Sequence, residues 1–274
     1  MSIMHYNIPI LAYHKVDYKR ELGITRVSPQ RFERQISFLK SEGYKSISPD
    51  SLIQADNRKA PEKPILITFD DGYEGVYNYA YPVLRSYGFS AVIFLTSGYI
   101  GKNNYWDASP GPRFRHLTFQ QIQEMANHDI CIGSHGVNHV FLTKLDNGSI
   151  KYETEMSKCC LEDALGYSVH FFSYPYGNYN TRVANFVRDA GYKAAFSLHP
   201  EILKAEYSGE KMLEIHSFYK IPRIAIYLID SFWAFRTKVG YNHSKTLFYM
   251  QKAKNLLINR FSYASMLVNT RNYE

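Results

Sequence analysis

Short, largely apolar runs recur along the chain, each followed by a polar turn and then by a stretch with helical periodicity. The runs cover residues 8–13, 65–69, 91–95, 130–134, 171–174 and 194–198, four to six residues each. That length, bounded by turn residues, fits buried strands rather than helices. Between them, Ser28 supplies an N-cap with Pro29 in the first turn. Phe32, Ile36 and Leu39 then repeat at helical spacing, and Gly43 stops the pattern. Thr118 and Gln121 have capping-box spacing ahead of Ile122 and Met125. A further helical stretch, 181–190, ends at Gly191. Strand and helix in alternation predict an α/β fold with a parallel sheet, open or closed into a barrel.

Reactive side chains collect at one end of these runs. His14 follows the first run, Asp70 and Asp71 the second, and His135 the fourth; Tyr174-Pro175-Tyr176-Gly177 closes the fifth. In α/β barrels the C-terminal ends of the strands carry the active site, so these positions point to one shared mouth.

Each motif has a chemical and a structural reading. In Thr68-Phe69-Asp70-Asp71-Gly72-Tyr73 the two adjacent acids point in different directions at a strand end, so one can ligate a metal while the other faces substrate. Asp-Asp-Gly also suits an Asx turn. His135 and His139 stand four apart, which on a helical turn puts both imidazoles on one face, able to grip a cation. Two histidines and a carboxylate are zinc ligands, and three protein ligands leave a position open for water. His14 is either a satisfied core histidine or a catalytic one. The 174–177 turn is either a plain turn or a source of backbone N–H groups for an oxyanion.

Together these stretches resemble the family-four carbohydrate esterases, polysaccharide deacetylases that share the nodulation-type chitooligosaccharide deacetylase homology domain. The similarity covers residues 6–230 and rests on residues 28–44, 63–73, Tyr81-Pro82-Val83-Leu84, Ala91-Val92-Ile93-Phe94, the stretch from Ile132 through His139, and Tyr174 to Gly177. The motif order resembles the branch containing poly-N-acetylglucosamine deacetylases, in which the order is permuted and the acid histidine lies in an N-terminal Tyr-His-x-Val, here Tyr13-His14-Lys15-Val16. The resemblance implies a distorted (β/α) barrel of about seven parallel strands. It implies Asp71, His135 and His139 as metal ligands, Asp70 as general base, His14 as general acid, and a Tyr176 backbone N–H at the oxyanion. The implied cofactor is a divalent metal, Zn2+ first, with Co2+, Ni2+ or Fe2+ able to fill a similar site. The implied activity is hydrolysis of a linear amide C–N bond, removing N-acetyl groups from a polysaccharide, oligosaccharide or lipid-linked glycan precursor.

Two departures stand out. Many members carry an Arg two residues before the Pro of the turn motif, where it pairs with the base; here the position is Ser173, and Arg223 in Ile221-Pro222-Arg223-Ile224 is the candidate substitute. Gly136 stands where the pattern has Ser or Thr. The missing Arg supports a rival reading, a non-catalytic glycan-binding pseudoenzyme. A deacetylase or deformylase of a small acylated amine or amino sugar is the alternative within amide hydrolysis.

Composition changes this picture at the C-terminus and in the choice of compartment. From 231 to 274 there are seven Lys or Arg against Glu274 alone, a surplus of six in a net charge of +7. Phe248, Leu256, Leu257, Ile258 and Phe261 interleave with Lys252, Lys254 and Arg260. The expected organisation is therefore a deacetylase-like domain over 1–235 and a basic, helical extension over 236–274. Such a helix either packs on the barrel or touches an anionic membrane surface. No nucleic-acid motif accompanies the charge, so nucleic acid is not the expected partner. Three cysteines, two of them adjacent, give no disulfide framework. With neither a signal-like N-terminus nor an apolar run of spanning length, the expected location is cytoplasmic, either free or peripheral to the inner membrane surface.

Overall fold

A computed structural model of the chain describes residues 8–21, 23–54, 61–107, 111–198 and 215–240, the side chains of 215–217 excepted. The strands in chain order are β1 (Ile10–Tyr13), β2 (Lys15–Val16), β3 (Arg26–Val27), β4 (Lys45–Ser46), β5 (Pro64–Phe69), β6 (Ala91–Leu95), β7 (Ile130–Ser134), β8 (Phe171–Ser173), β9 (Ala194–Ser197), β10 (Ile221–Pro222) and β11 (Ile224–Ala225). Eight of them follow one another around the main sheet in the order β10-β9-β8-β7-β6-β5-β1-β11. Every pairing along this path is parallel. β10 pairs with β9 and β11 with β1, and only Arg223 separates them. The two short strands thus share one stave and bring the sheet to a nearly closed barrel of seven staves.

The helices form where the capping residues stand. Ser28 accepts from Arg31 N ahead of helix Pro29–Ser41, and the Thr118–Gln121 capping box is complete in both directions. Outward side chains such as Leu11, Ile67, Ile93 and Phe172 pack under the helices. Inward ones, among them Ile10, Leu66, Val92, Phe94, Phe171 and Phe196, form a separate apolar cluster with Leu52 and Ile53 of helix Pro49–Gln54 against it. Gly133 makes room there: a Cβ would lie 2.5 Å from Phe94 Cδ1. Toward the strand C-termini the inward positions turn polar, through Thr68, Asp70, Ser173 and Arg223.

Helix Phe232–Val239, capped by Ser231, buries Phe235 and Val239 in the main core. Its Lys238 is buried against Asp230 (2.6 Å) and Ala225 O (2.7 Å). The expected domain boundary at 235/236 falls inside this helix, and the rest of the expected extension, 241–274, lies outside the described residues. No helix among the described residues is long and apolar enough to cross a membrane.

Candidate metal centre and active site

Asp70 and Asp71 leave the end of β5. Asp70 continues the inward alternation of Leu66 and Thr68, and its N–H donates to Tyr13 O of β1 (2.9 Å). Asp71 would face the other side in a regular strand, but its φ of 69° turns the chain. Both acids are buried. His135 follows β7, with its N–H donating to Leu95 O (2.8 Å). Its Nδ1 lies 2.7 Å from Ser173 O. A carbonyl only accepts, so Nδ1 carries a proton and the neutral ring presents a lone pair on Nε2.

Asp71 Oδ1 faces His139 Nε2 at 3.1 Å and His135 Nε2 at 3.4 Å. The three ligand atoms lie within 4.8 Å of one another. Asp71 Oδ1 has no hydrogen-bond partner among the described residues. A buried carboxylate oxygen opposite an imidazole lone pair is repulsive unless a proton or cation lies between them. One carboxylate oxygen and two imidazole nitrogens also suit a divalent ion of the zinc type. The donor set therefore fits the metal.

The two histidines do not converge in the manner their spacing predicted. Residues 135–139 form no helical turn. They make a loop with positive φ at Gly136 (79°) and His139 (54°). Gly136 has a steric reason as well, since a Cβ would stand 2.9 Å from Glu153 Oε2. A Ser or Thr is therefore disfavoured here. Four non-glycine residues among those described have positive φ, and three of them, Asp71, His139 and Tyr176, line this site. Strain of this kind costs roughly 1–3 kcal/mol per residue and persists where the surroundings over-determine the backbone.

Arg223 reaches Asp70 from the closing stave. Its Nη1 donates to Asp70 Oδ1 and its Nη2 to Oδ2, both at 2.7 Å. It also donates to Thr68 Oγ1 (3.0 Å) and to Ser173 Oγ (2.7 Å). Ser173, where the family resemblance implied an Arg, thus holds a hydroxyl that accepts from an Arg of another strand. Burial alone would raise the Asp70 pKa; the Arg223 charge and hydrogen bonds, with His135, outweigh it and hold Asp70 below the usual carboxylate range. Asp71 is held well below that range by the charge and hydrogen bonds of His139 and His135 in their protonated state, which outweigh the same burial.

His14 follows β1 and brings Nε2 to 4.0 Å from Asp70 Oδ2. Burial lowers its pKa, against the pull of Asp71 and Asp70. Tyr176 stands in the Pro175–Gly177 turn with φ 60°. Its ring stacks on Phe141 (4.0 Å) and meets His139 edge-on (4.5 Å). The structure thus brings Asp70, Asp71, His135, His139, His14, Tyr176 and Arg223 to one end of the barrel.

Two neighbours had no signal in the sequence. Trp106 stacks on the His139 ring with centroids 3.8 Å apart. Glu153 accepts three hydrogen bonds from the loop between the histidines.

The sequence and the fold are similar to those of known proteins. The polysaccharide deacetylase family model matches residues 57–195. YxkH of Bacillus subtilis, named for a polysaccharide deacetylase, is 34% identical over 195 residues, 70% of this chain, and the match spans 65% of the length of that relative. A Staphylococcus aureus poly-β-1,6-N-acetyl-D-glucosamine N-deacetylase is 27% identical over 211 residues, covering 76% of this chain and 70% of that one. Among solved structures, the Streptococcus pyogenes deacetylase PplD in complex with acetate superposes with a TM-score of 0.70 at 25% identity, covering 85% of this chain and 98% of that one. IcaB from Ammonifex degensii shares the fold, with a TM-score of 0.66 at 22% identity over 85% of this chain and 95% of its own. The matched residues include Asp70, Asp71, His135, His139 and Tyr176, and the chain belongs to the polysaccharide deacetylase family.

Proposed function

We propose that this chain is a metal-dependent hydrolase that removes the N-acetyl group from an N-acetylated sugar, with zinc as the first choice of metal. One observation carries the reading: Asp71 Oδ1 and the Nε2 atoms of His135 and His139 converge next to an Asp70 clamped by Arg223. The name of the Staphylococcus aureus relatives supports a glycan amide as substrate. The non-catalytic reading drew on the lack of a positive partner for Asp70, and Arg223 supplies one.

Bound by Asp71, His135 and His139, a divalent cation would polarise the acetyl carbonyl and make a water acidic enough to attack near neutral pH. Asp70 is ionised at neutral pH and accepts the proton of the attacking water. Its two hydrogen bonds from Arg223 fix which way the carboxylate points. The backbone N–H of Tyr176 donates to the oxygen that gains charge. His14, once protonated, delivers a proton to the leaving nitrogen, and its lowered pKa makes it a strong acid toward an amine. Separate groups for the two proton transfers match the needs of amide cleavage, in which water gives OH to the acetyl carbon and H to the nitrogen.

Acetate release from poly-N-acetylglucosamine oligomers, measured beside zinc content, tests the reading. Asp70→Asn is expected to keep zinc and lose on the order of 10²–10⁴-fold in turnover; near-normal turnover would remove Asp70 as base. Asp71→Ala and His139→Ala are expected to lose zinc, and full occupancy in either would break the ligand set. Lipid-linked sugars and small acylamines in the same panel separate the substrate classes.

A further inference from the structure

Glu153 follows His139 by 14 residues and stands outside the motifs of the proposed chemistry, on a single π-helical turn, Tyr152–Met156, between helices Asn147–Lys151 and Ser157–Leu165. π turns inside α-helices are uncommon and recur at functional sites. The residue is buried. It forms no ion pair among the described residues. A buried carboxylate is costly unless its oxygens are satisfied. Here they are satisfied almost wholly by one loop. Oε2 accepts from Val137 N (2.7 Å) and Asn138 N (3.0 Å), and Oε1 accepts from Asn138 Nδ2 (2.7 Å). These donors are the residues between His135 and His139. Gly136 closes the arrangement from the other side, because its missing Cβ leaves the space that Oε2 approaches.

We propose that Glu153 is a positioning residue for the metal centre, and that its carboxylate sets the turn that brings His139 Nε2 onto the same point as His135 Nε2. The loop lacks helical hydrogen bonds, so its own backbone does not fix the separation of the two imidazoles. Ser97 N and Gly98 N donate to its Gly136 and Val137 carbonyls (3.0 Å each), and its N–H side is held by three charge-assisted hydrogen bonds to one anion. His139 depends on them most, because its φ is positive and its Nδ1 has no hydrogen-bond partner among the described residues. The Trp106 stack and the Tyr176 edge contact bear on the ring faces, and the held backbone sets where the ring starts. The inference rests on the reading of Asp71, His135 and His139 as metal ligands.

The test is Zn2+ affinity of the full chain, measured by competition with a fluorescent chelator and without substrate. Glu153→Ala is expected to bind Zn2+ at least tenfold more weakly than the parent. Glu153→Gln keeps an acceptor oxygen for the Val137 and Asn138 N–H groups, and its amide can donate to a flipped Asn138 side chain. It is therefore expected within about threefold of the parent. Parent-like affinity in Glu153→Ala, or equal weakening in both variants, overturns the inference. Should Glu153→Ala not fold, Glu153→Asp carries the test. It keeps the charge but draws the oxygens back by one bond, about 1.5 Å, and at least fivefold weaker binding is expected; parent affinity in folded Glu153→Asp overturns the idea. A parent chain that binds no Zn2+ would instead overturn the ligand assignment beneath it.

Discussion

Replacing Arg223 by Met tests the link between barrel closure and the proposed chemistry. The substitution keeps an apolar stem of similar length and removes the guanidinium. The Arg223 and Asp70 side chains are 0% and 1% exposed, so solvent cannot screen what is left. Asp70 loses two hydrogen bonds, and Thr68 Oγ1 and Ser173 Oγ each lose a donor. Breaking a buried pair by removing one partner costs about 3–5 kcal/mol, since an uncompensated charge remains. At roughly 2–4 °C per kcal/mol for a chain of this size, Tm should fall by roughly 6–20 °C. Metal-free protein is the right material, so that no cation shares the load.

The pH dependence carries the sign. In the parent, Asp70 titrates below its unfolded value, so its contribution is present above that value and is lost as pH falls through the folded pKa. Without Arg223, burial dominates and pushes the Asp70 pKa up. The variant is then penalised most at neutral pH and recovers as the carboxyl takes a proton. The gap in Tm between parent and Arg223→Met should therefore narrow from pH 7 toward about pH 4. Adding Asp70→Asn to Arg223→Met removes the stranded charge and should restore part of the loss, with a coupling of roughly 2–3 kcal/mol. A Tm within about 2 °C of the parent at pH 7, or a double variant no more stable than Arg223→Met, would refute the argument.

Other expectations follow from single contacts. Gly136→Ala places a side chain at φ 79° and 2.9 Å from a carboxylate oxygen; it should cost about 1–2 kcal/mol, read as a lower Tm. Trp106→Ala removes the ring stacked on His139, a contact worth roughly 0.5–1.5 kcal/mol, so Zn2+ affinity should drop about twofold to tenfold; unchanged affinity would make the stack incidental. Peripheral membrane contact through the basic C-terminal residues predicts that the full chain floats with anionic liposomes and that a chain ending at Gly240 does not. The end must not lie before Gly240, because Phe235 and Val239 belong to the core; equal flotation would remove the idea.

How far the sequence could be read depended on whether a feature repeats. The runs at 91–95 and 130–134 are β6 and β7 to the residue, and the other four differ from their strands by one or two positions. Each is a row of apolar side chains with a polar residue at its end, and the barrel needs that row on both faces. The Ser28 and Thr118 caps were legible because their partners lie three residues away. The closing stave was not legible as a strand. Its halves are two residues each, and the residue between them is an arginine, which breaks any apolar pattern. Yet that break is what the site requires: an inward position at the strand end, opposite Asp70, filled by a charge. The same logic explains Glu153 and Trp106. Each acts on the histidine loop from outside it, through contacts that leave no periodicity. The motif residues announce which atoms do chemistry. What holds those atoms at working distance is a set of single long-range contacts, and only the folded chain brings them together.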